Sequence, residues 1–301
     1  MRTLIFGSVA LSALALLSGC GGSGSVAPTR SVVKVTNNGL TPLLNGYHYE
    51  NWVLVGGKAL PGGKFNINAS GQVVDLAGAV VPNGEFTIGK ELTGATSVVV
   101  TIEPTGDTDT IPAKTHILAG DVSGNTASLT VGHSMALGNS FASATGSFVL
   151  ATPTDGDNTN ENSGVWFLKL DGGPKQGLTL PTLPAGWKYE GWTVIAGKPI
   201  STGRFTSPSG VDESAPFSGS TAGPAFPGED FLRNAPTGLT FPTDVRGGKA
   251  VISIEPDSDD SPLPFELKPL VGDIAATAVD HTNLPLTNNA SVFPSATVQL
   301  L

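Results

Sequence analysis

The chain repeats itself, and that repeat limits what it can fold into more than any other feature. Gly46-Tyr-His-Tyr-Glu-Asn-Trp52, followed by Val53-Leu-Val-Gly-Gly-Lys58 and Gly63-Lys-Phe65, returns as Gly186-Trp-Lys-Tyr-Glu-Gly-Trp192, Thr193-Val-Ile-Ala-Gly-Lys198 and Gly203-Arg-Phe205, displaced by 140 positions. Further along, Val100-Thr-Ile-Glu-Pro104 matches Ile252-Ser-Ile-Glu-Pro256, and Phe141-Ala-Ser-Ala-Thr145 matches Phe293-Pro-Ser-Ala-Thr297, displaced by 152. The change of offset puts twelve extra residues into the second copy, between Phe205 and Ile252. Colinear matches with one insertion indicate a duplication. They predict two homologous domains, at 31–152 and 165–301, joined by a polar linker at 153–164. Two copies are too few for a stacked solenoid, so each is expected to enclose its own core.

The class of those domains follows from how residues are spaced. The 39 Gly and 23 Pro are spread along the chain, and between them Val, Thr, Ile and Phe gather in short runs such as 31–36, 97–102, 147–150, 165–170 and 249–254. Short apolar runs punctuated by turn residues predict an all-β fold of two tandem antiparallel sandwiches. In such a strand Tyr49, Asn51 and Val53 share one face and Glu50, Trp52 and Leu54 the other. Large apolar groups on both sides suit a central strand covered on both faces. Tyr49, Trp52, Tyr189 and Trp192 are therefore core packing or, if the Trp side is exposed, a stacking surface for a sugar or peptide beside Glu50 and Glu190.

The repeated unit resembles the extracytoplasmic C-terminal domain of the anti-sigma-K factor family. The resemblance rests on Tyr49 and Trp52, Gly63 to Phe65 and Glu103-Pro104, and again on Tyr189 and Trp192, Gly203 to Phe205 and Glu255-Pro256. It implies a β-sandwich on the outer side of a membrane, acting as a binding or sensing module. The family's sigma-binding helical region and membrane helix have no counterpart, because only Gly21 to Arg30 precede the first strand after the anchor. Sigma-factor binding is not expected.

The anchor is Cys20, the single cysteine, at the end of Leu17-Ser18-Gly19-Cys20. Arg2, the apolar run from Leu4 to Leu17 and the small residues before the cysteine have the anatomy of a lipoprotein signal peptide at 1–19. A lipid on Cys20 and a flexible Gly-Ser tether through residue 30 would hold the protein on the outer side of a membrane. Gly21 rather than Asp at the second mature position is compatible with an outer-membrane destination in a Gram-negative cell.

Without Arg2 the exported part keeps 15 of the 16 basic residues against 25 acidic ones. That balance argues against nucleic acid, whose affinity comes from cations on phosphates. Acidic turns at Asp107 and Asp109, at Asp257, Asp259 and Asp260, and in the linker at Asp155, Asp157 and Glu161 are candidate calcium ligands. The linker lacks the glycine and terminal glutamate of a calcium loop, so hydrated turns are the expectation and no metal or cofactor is assigned. His48, His116, His133 and His281 show no zinc-protease spacing, and no nucleophile elbow occurs. The expected function is non-catalytic binding, with an envelope protein or a glycan as partner. A structural or adhesive envelope role is the alternative. The Phe-containing insertion between Phe205 and Ile252 either covers a sheet edge or forms the binding loop.

Overall fold

The computed structural model describes residues 30–257 and 261–301. The predicted signal peptide, Cys20 and its tether up to residue 29 lie outside them, as do Asp259 and Asp260. The described chain has no α-helix and twenty strands: β1 (Val32–Asn38), β2 (His48–Val55), β3 (Lys58–Ile67), β4 (Val73–Val74), β5 (Glu85–Thr87), β6 (Ala95–Glu103), β7 (His116–Ser123), β8 (Thr126–Thr130), β9 (Thr145–Leu150), β10 (Gly164–Trp166), β11 (Leu168–Leu170), β12 (Pro174–Gln176), β13 (Leu178–Thr179), β14 (Trp187–Ile195), β15 (Lys198–Phe205), β16 (Gly228–Asp230), β17 (Lys249–Pro256), β18 (Leu270–Asp273), β19 (Leu284–Asn288) and β20 (Ser295–Leu300). The all-β expectation is met.

Two large antiparallel sheets carry the fold. One runs β4-β3-β2-β6-β7-β8-β20-β1-β5, the other β15-β14-β17-β18-β19-β9-β10-β16, with β13 also pairing β9. Leaving aside β4 and β13, the two orders correspond strand for strand. The repeat is therefore a repeat of sheet topology, with β2 and β14 hydrogen-bonded between β3 and β6 or β15 and β17 in the same way. Both central strands are buried on both faces, as the large apolar and aromatic groups on each side require. Strand β20, by contrast, alternates, with Ala296, Val298 and Leu300 inward.

The sheets do not part where the sequence repeat does. Strand β9 ends the first copy in sequence, yet it pairs β10 and β19 in the second sheet. Its counterpart β20, at the end of the chain, crosses back to fill the gap between β1 and β8 in the first sheet. The second lobe is thus continuous in sequence, while the first is closed by the C-terminal strand. Leu301 donates to and accepts from the backbone of Val32 at 2.9 Å. A boundary at 152 and 165 would leave each sheet short of one strand.

The expectation of a separate core per copy is also revised. Buried apolar residues of both lobes, from Val33 and Tyr49 to Phe148, Tyr189 and Leu300, form one connected cluster. A smaller cluster on the opposite face of the first sheet holds Trp52 with Val99, Ala119 and Ala136, covered by Met135.

The segment 153–164 is not a free linker. Thr154 is buried and its backbone N–H donates to Asp230 at 2.8 Å, and the Ser163 carbonyl accepts from Phe231 at 2.7 Å. The insertion takes the first of its two expected roles. Strand β16 extends the sheet beyond β10, while the Glu213 N–H donates to the Arg204 carbonyl on β15 at 2.8 Å. It therefore covers the β10 edge and touches the β15 edge of the second sheet. Phe217, Phe231 and Phe241 pack on one another with centroids 5.5–6.1 Å apart beneath it.

Candidate functional site

The repeated aromatics are beams of the fold. Tyr49, Trp52 and Tyr189 are fully buried and Trp192 is 2 % exposed, so none offers a ring to a sugar or peptide. Each Tyr stacks on the Phe of its own copy, Phe65 at 5.4 Å and Phe205 at 5.6 Å. Each hydroxyl donates to a carbonyl eight residues earlier, Thr41 at 3.0 Å and Pro181 at 2.6 Å. The Trp52 indole N–H donates to Thr101 Oγ1 at 2.8 Å, the Thr101 hydroxyl donates to Glu103, and Glu103 accepts the Ala113 N–H at 3.0 Å. In the second copy Trp192, Ser253, Glu255 and the Phe265 N–H form the same relay. The motif recurs because it satisfies buried polar groups and pins the loop after the Glu-Pro strand end.

Glu50 and Glu190 lie on the Trp side and face cations of the neighbouring strand, Lys64 at 3.6 Å and Arg204 at 3.5 Å. Burial pushes the Glu50 carboxyl up to about 7 against the opposing pull of Lys64. Lys64 itself is closer to Asp107, at 2.7 Å, and that bond holds Asp107 below its ordinary range. His48 completes the group. Among the described residues, His48, Glu50 and Asp107 are the one set of His, Cys, Asp or Glu side chains whose ligand atoms converge, all within 4.8 Å of one another.

The acidic linker does not converge in this way. Asp155 and Asp157 accept N–H groups two residues ahead at 2.9 Å, and Glu161 turns away to the Thr152 N–H at 2.9 Å and His281 at 3.6 Å. Asp109 likewise caps the Ile111 N–H at 2.7 Å. Two further histidines are engaged locally: His116 Nδ1 lies 2.7 Å from the Met135 carbonyl, and His133 lies 3.5 Å from Asp121.

A cleft at the seam of the two lobes was not foreseen. A cavity of about 200 Å³ opens between residues 41–47 of the first copy and 261–266 of the second, walled by Leu43, Leu44, Tyr47, Pro256, Leu263 and Phe265. It runs on into a second hollow of about 340 Å³ over Pro104, Lys114 and Gly186, sharing Tyr47, Ile102 and Pro256. Leu44 and Leu263 stand 59 % and 49 % exposed on its rim. Glu266 reaches across the seam, accepting the Thr41 N–H at 2.8 Å and the Tyr49 hydroxyl at 3.4 Å. Burial raises its carboxyl to about 7. No motif announces Glu266: the position that corresponds to it in the first copy is Lys114, and the cleft exists only once the lobes meet. Its mixture of apolar walls and a few converging polar groups is that of a ligand site.

The insertion encloses a third hollow of about 360 Å³ against Trp166, bounded by Asp212 and Phe226. Asp230 beside it accepts the Trp166 indole N–H at 2.7 Å and is saturated by Thr154. These bonds support the covering of the sheet edge. No known protein family matches this chain, and neither a curated protein nor a solved structure is significantly similar to it.

Proposed function

We propose that this chain is a membrane-anchored, extracytoplasmic binding module that holds its partner in the cleft between its two lobes without turning it over. Cys20 carries the lipid anchor in this reading, and each copy plays the part of an outer domain of the anti-sigma-K type, without a sigma-binding region. The observation that carries the proposal is the cleft itself, built from both copies and bordered by exposed Leu44 and Leu263 with the Glu266 carboxylate at its floor. Such a lining suits an apolar peptide segment of an envelope protein that brings a basic or hydroxyl group to Glu266. A lipid on Cys20 cannot carry a signal across the bilayer as a continuous chain can, so any signal would pass to a partner that spans the membrane.

The test is a photo-crosslinking residue at position 263 in living cells. One dominant adduct with an envelope protein, lost in Leu44→Asp, is the expected result. Absence of protein adducts together with retention on cell-wall polysaccharide would favour the structural or adhesive alternative and remove this one.

A further inference from the structure

The convergence of His48, Glu50 and Asp107 goes beyond partner binding. His48 and Glu50 are two residues apart on β2, so their side chains leave the same face of the strand. Asp107 comes to them from the turn after β6, whose backbone closes with the Asp107 N–H donating to Pro104 at 3.2 Å. The donor set is one imidazole and two carboxylates, and it has two features that an ordinary buried ion pair lacks.

First, His48 is 3 % exposed and its Nε2 has no hydrogen-bond partner, while Oε2 of Glu50 has no hydrogen bond closer than the 3.6 Å ion pair with Lys64. Buried polar atoms are nearly always satisfied, and an imidazole nitrogen left unused beside two carboxylates points to an acceptor of electron density. Second, the Gly46 backbone is the ring's one backbone partner, so a proton on Nδ1 directed at it leaves the Nε2 lone pair free. This is the arrangement that fixes the tautomer of a metal-bound histidine, with Nδ1–H on a carbonyl and the Nε2 lone pair aimed at the ion.

The second lobe supplies an internal comparison. Lys188 occupies the position of His48, and its ammonium reaches Asp257 and Glu213, each at 2.9 Å. In the first lobe that position holds an imidazole instead, and the cation beside the carboxylates is Lys64 from the neighbouring strand.

We propose that His48, Glu50 and Asp107 form a three-ligand site for a divalent transition metal of the zinc class. Imidazole with carboxylates suits such ions, whereas calcium takes six to eight oxygens. A tetrahedral ion about 2.0–2.2 Å from each ligand holds the three donor atoms roughly 3.5 Å apart, which side-chain rotation of Glu50 and Asp107 reaches from the observed spread. Lys64, on a partly exposed stem, moves out as the ion enters. The fourth position faces a hollow of about 390 Å³ lined by Tyr47, His48, Asn66, Asn68, Asp75 and Asp107, which gives solvent a path to the ion.

The test uses the full chain carrying Cys20→Ser, so that no thiol competes, stripped of metal and titrated with Zn²⁺ by calorimetry and with Co²⁺ by visible absorption. One equivalent is expected, with the d–d bands of a tetrahedral nitrogen–oxygen site. His48→Gln and Asp107→Asn should each weaken binding at least tenfold. Lys64→Met should tighten it severalfold, an effect that loss of fold cannot produce. Absence of binding at 100-fold excess of ion would overturn the proposal. So would a stoichiometric site that His48→Gln leaves unchanged, or weaker binding in Lys64→Met.

Discussion

Phe141 and Phe293 meet edge to face, with ring centroids 5.7 Å apart and planes at 61°. They are the same position of the repeat, separated by 152 residues, so the two copies meet here at equivalent residues. The strands that follow them, β9 and β20, go to opposite sheets. The contact therefore marks the point at which the first lobe opens and is later closed. Phe141→Ala and Phe293→Ala should each destabilise the protein by about 1–4 kcal/mol, and a double-mutant cycle should return about 0.5–1.5 kcal/mol of coupling. Denaturant unfolding of the four proteins measures it, and additivity would place the rings in independent cores.

Closure by the C-terminal strand dictates which fragments fold. Residues 165–301 lack β9, and a chain ending at residue 294 lacks β20, so each should fail to unfold cooperatively. Residues 141–292 contain every strand of the second sheet and should give a sigmoidal transition. A peptide spanning 294–301, added in trans, should restore order to the truncated chain, read by protection of the β1 and β8 amides from exchange.

The Trp relay should behave as structure and not as a binding surface. Thr101→Val removes the acceptor of the Trp52 indole and the donor to Glu103 while keeping the shape, leaving buried groups unpaired. A loss of about 1–3 kcal/mol is expected, and Ser253→Ala should give the same in the second lobe. Partner adducts at position 263 should persist in both variants wherever they remain folded.

Stability should decline as pH rises from about 5 to 8. Burial lifts Glu229 and Asp212 to about 7, whereas unfolded carboxyls titrate near 4. Between those values the native state binds more protons than the unfolded chain, so its advantage is complete below about pH 4 and is lost by about pH 7. The urea midpoint should be lower at pH 8 than at pH 5, and Glu229→Gln should flatten the profile. A midpoint that climbs over this interval would contradict the assignment.

Cys20→Ser should abolish fatty-acid labelling and leave the precursor unprocessed. Labelling that survives the substitution would remove the lipid anchor from the proposed function.

Much of the fold was legible. Strand identity followed from short apolar runs between Gly and Pro, and the central position of β2 and β14 from large apolar groups on both faces. The aromatic positions were also found, but whether Tyr49 and Trp52 face a ligand or a core depends on what covers the strand. Met135 and Ala136 provide that cover on the Trp52 side. The convergence of His48 and Glu50 with Asp107 was half visible, as two neighbours on one strand face; the third side chain lies more than fifty residues away, and only the return of β6 beside β2 brings it near.

By itself the sequence determined the duplication, the strand content and the residues that each copy buries, because these depend on local spacing and on side-chain chemistry. Ownership of the last strand, the single connected core and the cleft at Glu266 were decided by tertiary structure. Local spacing shows that a segment is a strand, but not which neighbour it pairs with, and the first sheet has a place between β1 and β8 to fill. Two equivalent strands end the copies, and β9 is already taken by β10, the strand that follows it. The chain's end is what remains to close the first lobe, and that closure sets the two lobes against each other.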